Sequence, residues 1–168
     1  MIIKDYSVSQ EDFTLVYDSL LELYRTNPVP DELDKYYESE AYISHTDSRK
    51  TLFDRLYQWV KSYNLKHKIA LIKQYKKENI HLLDIGAGTG DFVLSSKKYA
   101  HWEAIGIEPS EKARAKTEEK GLLLQADFGN LLPHSFDVIT MWHVLEHVPD
   151  VTQEIQIISN LLKENGIA

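Results

Sequence analysis

The stretch LLDIGAGTGDF, residues 82–92, constrains this chain more than any other. An apolar run ends in three glycines at alternate positions, Gly86, Gly88 and Gly90, and an apolar segment of helical spacing follows. That pattern specifies a buried strand turning sharply into a helix. In an open parallel sheet, ligands bind beyond the carboxyl ends of the strands. Missing side chains are expected to let backbone N–H groups of the turn come close to a ligand. The helix that follows should direct its positive end at the same point, favouring a carboxylate or phosphate. Taken alone, the same turn also fits a tight strand-to-helix connection that holds nothing.

The alternation continues downstream. Strands are expected at 80–85, 104–107, 122–126 and 136–142, and a helix at 91–99. Ser110 is placed to cap the charged helix EKARAKTEEK, which Gly121 ends. Asp150 and Gln153 form a second cap pair, and Val151, Ile155, Ile158 and Leu162 make one face of a helix closed by Gly166. Strands alternating with helices imply an α/β domain with a parallel sheet and right-handed crossovers.

The first part of the chain differs. All seven glycines lie after residue 80, whereas nine of the ten tyrosines lie before it. Ser9 with Asp12 resembles a capping box, and Phe13, Val16, Tyr17, Leu20, Leu21 and Tyr24 follow helical spacing up to Asn27-Pro28-Val29-Pro30. A second helix is expected from about Asp47, with Leu52, Leu56, Trp59, Val60 and Tyr63 as its apolar stripe. Asn64 is expected to interrupt it before a third piece through Ile69 and Ile72. The expected organisation is an N-terminal helical cap over 1–79 and a ligand-binding domain over 80–168.

Composition narrows the function classes. The net charge of -7 argues against a surface that binds a nucleic-acid backbone. No cysteine is present, which removes disulfides and thiolate metal sites. No apolar run is long enough to cross a bilayer, and the first residues lack the core of a signal peptide. A cytoplasmic protein is the expectation.

The glycine spacing separates two ligand classes. Dinucleotide folds prefer G-x-G-x-x-G; here it is G-x-G-x-G, with Asp84 inside the strand before it. The D-x-G-x-G-T-G turn of residues 84–90 resembles the first motif of the class I S-adenosylmethionine (SAM)-dependent methyltransferases. GIEPS (106–110), QADFGNLLP (125–133), FDVITMWHVLEHVPD (136–150) and LLKENGIA (161–168) resemble that family's later landmarks in the right order. The resemblance covers residues 80–168. It implies a Rossmann-like parallel sheet and SAM as cofactor. It places Asp84, Gly86, Ala87, Gly88 and Gly90 at the amino-acid end of SAM, with Asp84 either shaping the turn or accepting from the SAM amine. Glu108, followed by Pro109, would hold the ribose hydroxyls. Asp127, with the backbone N–H of Phe128, would read adenine; the Phe128 ring either stacks beside adenine or fills the core. Trp142 and His143 would line the methionine end.

Other readings of single residues remain. His143-Val144-Leu145-Glu146-His147 matches H-x-x-E-H in letters, but a zinc site of that kind needs a continuous helix. Pro149 follows too soon, so no metal is expected. Glu146 and His147 are expected to orient the loop, and His143 is the one candidate general base. Tyr36, Tyr37, Tyr42 and His45 either pack between helices or form a lid over the cofactor; Tyr37 and Tyr42 are the candidates for cofactor contact.

The resemblance also implies an incomplete fold. The family sheet runs 3-2-1-4-5-7-6, and this chain stops at Ala168, where the fifth strand should start. A product cut short, with order 3-2-1-4, would leave strand 136–142 as an apolar edge. Such an edge invites pairing with a second copy or cover by the N-terminal helices. The implied activity is methyl transfer to a small-molecule acceptor. The alternative is a non-catalytic SAM-binding module that lacks the acceptor half.

Overall fold

The computed structural model describes residues 1–6, 9–29, 52–77 and 79–168, and the side chains of residues 52–55 are not described. The chain forms two compact units, Met1–Arg55 and Leu56–Ala168.

In the first unit, the described residues up to 29 form a three-stranded antiparallel sheet, not a helix. Its strands β1 (Ile2–Lys4), β2 (Asp12–Asp18) and β3 (Leu23–Asn27) are ordered β1-β2-β3. This corrects the helix expected through Phe13 and Tyr24. Thr14, Val16 and Tyr17 are β-branched or aromatic residues that favour a pleated strand. The turn between β2 and β3 supplies the rest of the reason. Asp18 Oδ1 accepts from the backbone N–H groups of Leu20 and Leu21 at 3.0 and 3.1 Å, and Glu22 takes a left-handed φ of 53°. Tyr17 then pairs with Tyr24, their rings 5.1 Å apart. Ser9 caps no helix; its backbone N–H and hydroxyl both donate to Asp5.

In the second unit, α1 (Leu52–Tyr75) runs through Asn64 without a break. The Asn64 side chain is exposed, so it does not compete for the helix's backbone hydrogen bonds. The expected stripe of Leu56, Trp59, Val60 and Tyr63 is exposed, and burial falls instead on Ile69 and Ile72. From Leu56 on, α1 goes with the glycine-rich unit, whereas the expected division at residue 79 put it with the N-terminal segment.

Strands β4 (His81–Ile85), β5 (Glu103–Ile107), β6 (Phe136–Met141) and β7 (Leu162–Ile167) form a parallel sheet in the order β5-β4-β6-β7. Helices α2 (Asp91–Ser95), α3 (Glu111–Glu118) and α4 (Val151–Leu161) connect them, and α2 continues as a π-turn over Ser96–Ala100. Both expected caps form: Ser110 Oγ accepts from Ala113 N, and Asp150 Oδ1 from Gln153 N. The strands alternate between two cores. Leu82 lies with Ile69, Ile72, Phe92, Val93 and Trp102; Leu83 and Ile85 lie with Ile139, Ile158 and Leu161. Burial on both faces is what a parallel sheet requires.

The outer positions of the sheet differ from expectation. The segment expected as a third strand, 122–126, reduces to one parallel bridge, Ile107 to Gln125. Gln125 N donates to Gly106 O, and Glu108 N donates to Gln125 O, each at 2.9 Å. At the other side, a fifth strand forms. Helix α4 ends at Leu161, before Gly166, and β7 pairs with β6 at Phe136–Leu162 and again at Val138–Ile167. Between these pairs the chain bows out through Asn165, which has φ 67°. The β6 edge is therefore covered by this chain's own residues, and neither a second copy nor N-terminal helices are needed to cover it. Among the described residues, no helix is long and apolar enough to cross a membrane.

Candidate functional site

The site lies beyond the carboxyl ends of β4 and β5. Gly86, Gly88 and Gly90 all have positive φ, at 68°, 55° and 71°. Their surroundings differ. A Cβ on Gly86 would come within 2.4 Å of Val144 Cγ2, and one on Gly90 within 2.6 Å of Leu122 Cδ2; a Cβ on Gly88 would meet nothing within 4 Å. Gly86 and Gly90 are thus needed for packing, while Gly88 turns bare backbone toward open space.

The N–H groups of the turn are used inside the protein. Ala87 N donates to Ile107 O, Gly90 N to Ala87 O, and Gly88 N to Glu108 Oε2 at 2.8 Å. The expectation that N–H groups of the turn face a ligand is corrected at these three positions. The helix end is likewise met from within. Asp91 stands in the first turn of α2, accepting from the Thr89 hydroxyl at 2.7 Å and Lys61 Nζ at 2.8 Å, with Lys120 Nζ at 3.3 Å. Burial alone would raise the Asp91 pKa, but the hydrogen bonds from Lys61 and Thr89 and the two lysine charges outweigh it and hold it low.

Glu108 ties the two strand ends together. Its Oε1 accepts from Ser110 N at 2.9 Å while its Oε2 holds Gly88 N. Arg114 Nη1 donates to the carbonyls of Glu108 and Pro109, at 2.7 and 2.6 Å, which fixes the loop carrying the carboxylate.

Asp84 lies beneath the turn and is 2% exposed. Its neighbour across the parallel ladder is Thr140, whose hydroxyl donates to Asp84 Oδ1 at 2.7 Å. Burial pushes the Asp84 pKa up to about 7; the Thr140 hydrogen bond and the Lys68 charge pull it down, and the Glu108 charge adds to the rise. Lys68 of α1 lies over the Trp142 ring, 4.3 Å from its centroid, and Phe92 meets Trp142 edge-on at 5.7 Å. Burial lowers the Lys68 pKa, against the pull of Asp84.

The remaining candidates fall as follows. Asp127 is exposed, and its Oδ1 accepts from Gly129 N at 2.8 Å. Phe128 is half-buried against the core on the α4 side. His143 has φ 60° and a side chain 88% exposed, with Nδ1 3.7 Å from Glu146 Oε1. Leu145–His147 is one 3₁₀ turn, so His143 and His147 share no α-helical face. Tyr36, Tyr37, Tyr42 and His45 lie outside the described residues. Sequence reasoning missed Thr140, Val144, Arg114 and Lys68. Thr140 had a signal, as a hydroxyl inside the apolar strand FDVITMW. Lys68 had none, because LKHK reads as a solvated run.

Comparison with known proteins agrees with this geometry. Residues 53–168 match the family model described as a methyltransferase domain, and the chain belongs to that family. Its cofactor is accordingly S-adenosylmethionine. The chain is 34% identical over 94 residues to a ubiquinone biosynthesis O-methyltransferase from Aeromonas salmonicida, covering 51% of this chain and 40% of that protein. It is 38% identical over 100 residues to the protein of the same description from Pelagibacter ubique, covering 54% and 40%. The chain thus spans well under half the length of these relatives. Among solved structures, it superposes on the YcgJ protein of Bacillus subtilis with a TM-score of 0.50 and 25% identity, covering 60% of this chain and 48% of that one.

The residues present fit SAM. Open space above Gly88 leaves room for a ligand against backbone. The Glu108 oxygens each hold one N–H and keep a lone pair for a hydroxyl. The Trp142 indole Nε1–H is buried without an acceptor, so a donor stands ready.

Proposed function

We propose that this chain binds S-adenosylmethionine above Gly88 and transfers its methyl group to a small-molecule acceptor. The observation that carries the reading is Glu108 bonded to Gly88 N, which sets a carboxylate at the rim of the one glycine of this turn with open space over it. In this reading Glu108 receives the ribose hydroxyls, with Pro109 beside it. Asp127 and the Phe128 N–H meet the adenine. Trp142 and His143 face the methionine end. Asp84 is buried and already bonded, which favours its turn-shaping role over direct contact with the SAM amine.

When bound, SAM supplies a methyl group on a sulfonium that leaves readily. What remains for the protein is to align an acceptor with that methyl and to exclude water. The half-buried Trp142 packed on the buried Phe92 gives an apolar wall for that purpose. His143 would have to turn in from solvent to act as general base, so an acceptor that enters already ionised suits this site best. The relatives' description as O-methyltransferases of ubiquinone biosynthesis supports a small molecule over a macromolecule. The test is titration with S-adenosylhomocysteine (SAH), followed by a methyl-transfer assay on small phenols and acids. Binding with turnover supports the reading. Binding without turnover of any acceptor would leave a non-catalytic SAM-binding module.

A further inference from the structure

Lys68 is a charged residue beside the site with no part in holding the turn or the Glu108 loop. Its ammonium is half-buried between the Trp142 face and the region of Asp84, 4.3 Å from one ring centroid and 5.8 Å from that of Phe92. Among the described residues it has no hydrogen-bond acceptor, although the neighbouring lysines Lys61 and Lys120 both pair with Asp91. The indole Nε1–H of Trp142, the ring beneath it, is also buried without an acceptor. An ammonium has three donors and an indole one. Two adjacent residues therefore carry hydrogen-bond donors that no acceptor among the described residues receives, while the Lys68 charge meets two ring faces and, electrostatically, Asp84. Asp84 faces the ammonium electrostatically but is sealed in by burial and by Thr140. The chemistry that completes such a place is an anion with planar acceptor oxygens, brought by a ligand.

We propose that Lys68, seated on Trp142, is the binding residue for the α-carboxylate at the amino-acid end of the cofactor. The inference rests on the SAM reading above and deepens it. It gives α1 a functional reason to pack with the glycine-rich unit, since the helix delivers a cation that the sheet's own loops lack at this point. Ordering a carboxylate there aligns the methionine chain and so the reacting methyl.

The test compares two probes by calorimetry, SAH and its decarboxylated analogue 5′-deoxy-5′-(3-aminopropylthio)adenosine, which lacks only the carboxylate. Wild-type protein is expected to prefer SAH by about tenfold or more, as for loss of a charge-assisted hydrogen bond. Lys68→Met should lose that preference, weakening SAH while leaving the analogue unchanged, and Lys68→Arg should keep most of it. Circular dichroism confirms that each variant is folded; Lys68→Gln replaces Lys68→Met if the latter is not. A Lys68→Met protein that still prefers SAH, or that loses both probes equally, overturns the inference and leaves the SAM reading intact. Failure of wild-type protein to bind either probe removes both.

Discussion

Thr140 on β6 stands opposite Asp84 on β4 and donates its hydroxyl to Asp84 Oδ1 at 2.7 Å. The pair lies under the glycine turn, where the carboxyl is almost fully buried. A hydroxyl can hold either protonation state of the acid, so the geometry persists while the charge changes.

That pair yields a pH prediction. The Asp84 pKa is raised by burial to about 7, above its ordinary 3.8. Between those values the folded state holds a proton that the unfolded state has lost. Asp84 therefore makes stability fall as pH rises through that window, levelling above about 7. Asp84→Asn keeps an acceptor for Thr140 and removes the titration. Urea unfolding from about pH 5 to about pH 8 should show the variant gaining on wild type as pH rises. Parallel profiles would mean that Asp84 is not a raised acid.

Asp91 carries the opposite sign. Its folded pKa is lowered, burial being outweighed by Lys61 and Thr89. Its contribution is present above the unfolded pKa of 3.8 and is lost as pH falls through the folded value. Asp91→Ala should cost roughly 1–3 kcal/mol near neutrality, because it strips acceptors from Thr89, Lys61 and Lys120. As pH falls below 3.8 and on through the lowered folded value, the difference should shrink.

The glycines separate packing from binding. Gly86→Ala places a Cβ 2.4 Å from Val144 at a positive φ, so a loss of roughly 2–4 kcal/mol is expected. Gly88→Ala meets open space and bears only the backbone term, about 1–2 kcal/mol. Thermal melts should rank them in that order. Gly88→Ala, though folded, should bind SAH at least about tenfold more weakly, because the methyl fills the ligand's space. Full affinity in Gly88→Ala would move the ligand elsewhere.

Glu108→Ala leaves the Gly88 and Ser110 N–H groups without their acceptors. Half-exposed, these cost less than buried donors, about 1 kcal/mol in stability. Glu108→Gln keeps one acceptor oxygen and should fall between. Because Arg114 bonds to the carbonyls and not to the carboxylate, the loop should hold its place in both variants.

The glycine turn and both side-chain helix caps were legible because each depends on residues near in sequence. The spacing of Gly86, Gly88 and Gly90 identified the strand end, and Ser110 and Asp150 marked two helix starts as found. The first unit misled because Phe13, Val16, Tyr17 and Leu20 fit a helical period while the Asp18 turn, which decides for a hairpin, has no glycine to mark it. Strand β7 escaped because Gly166 resembles a helix end, and only its pairing with Phe136 and Val138 makes it a strand. Lys68 and Thr140 owe their places to packing and register between distant segments, which no local pattern reports.

The most direct test of the central claim is calorimetric titration of the 168-residue chain with SAH, run beside Glu108→Ala. Saturable binding at one site is expected, weakened about tenfold or more by the substitution. Absence of binding by a folded wild-type chain, or equal binding by the variant, would contradict it.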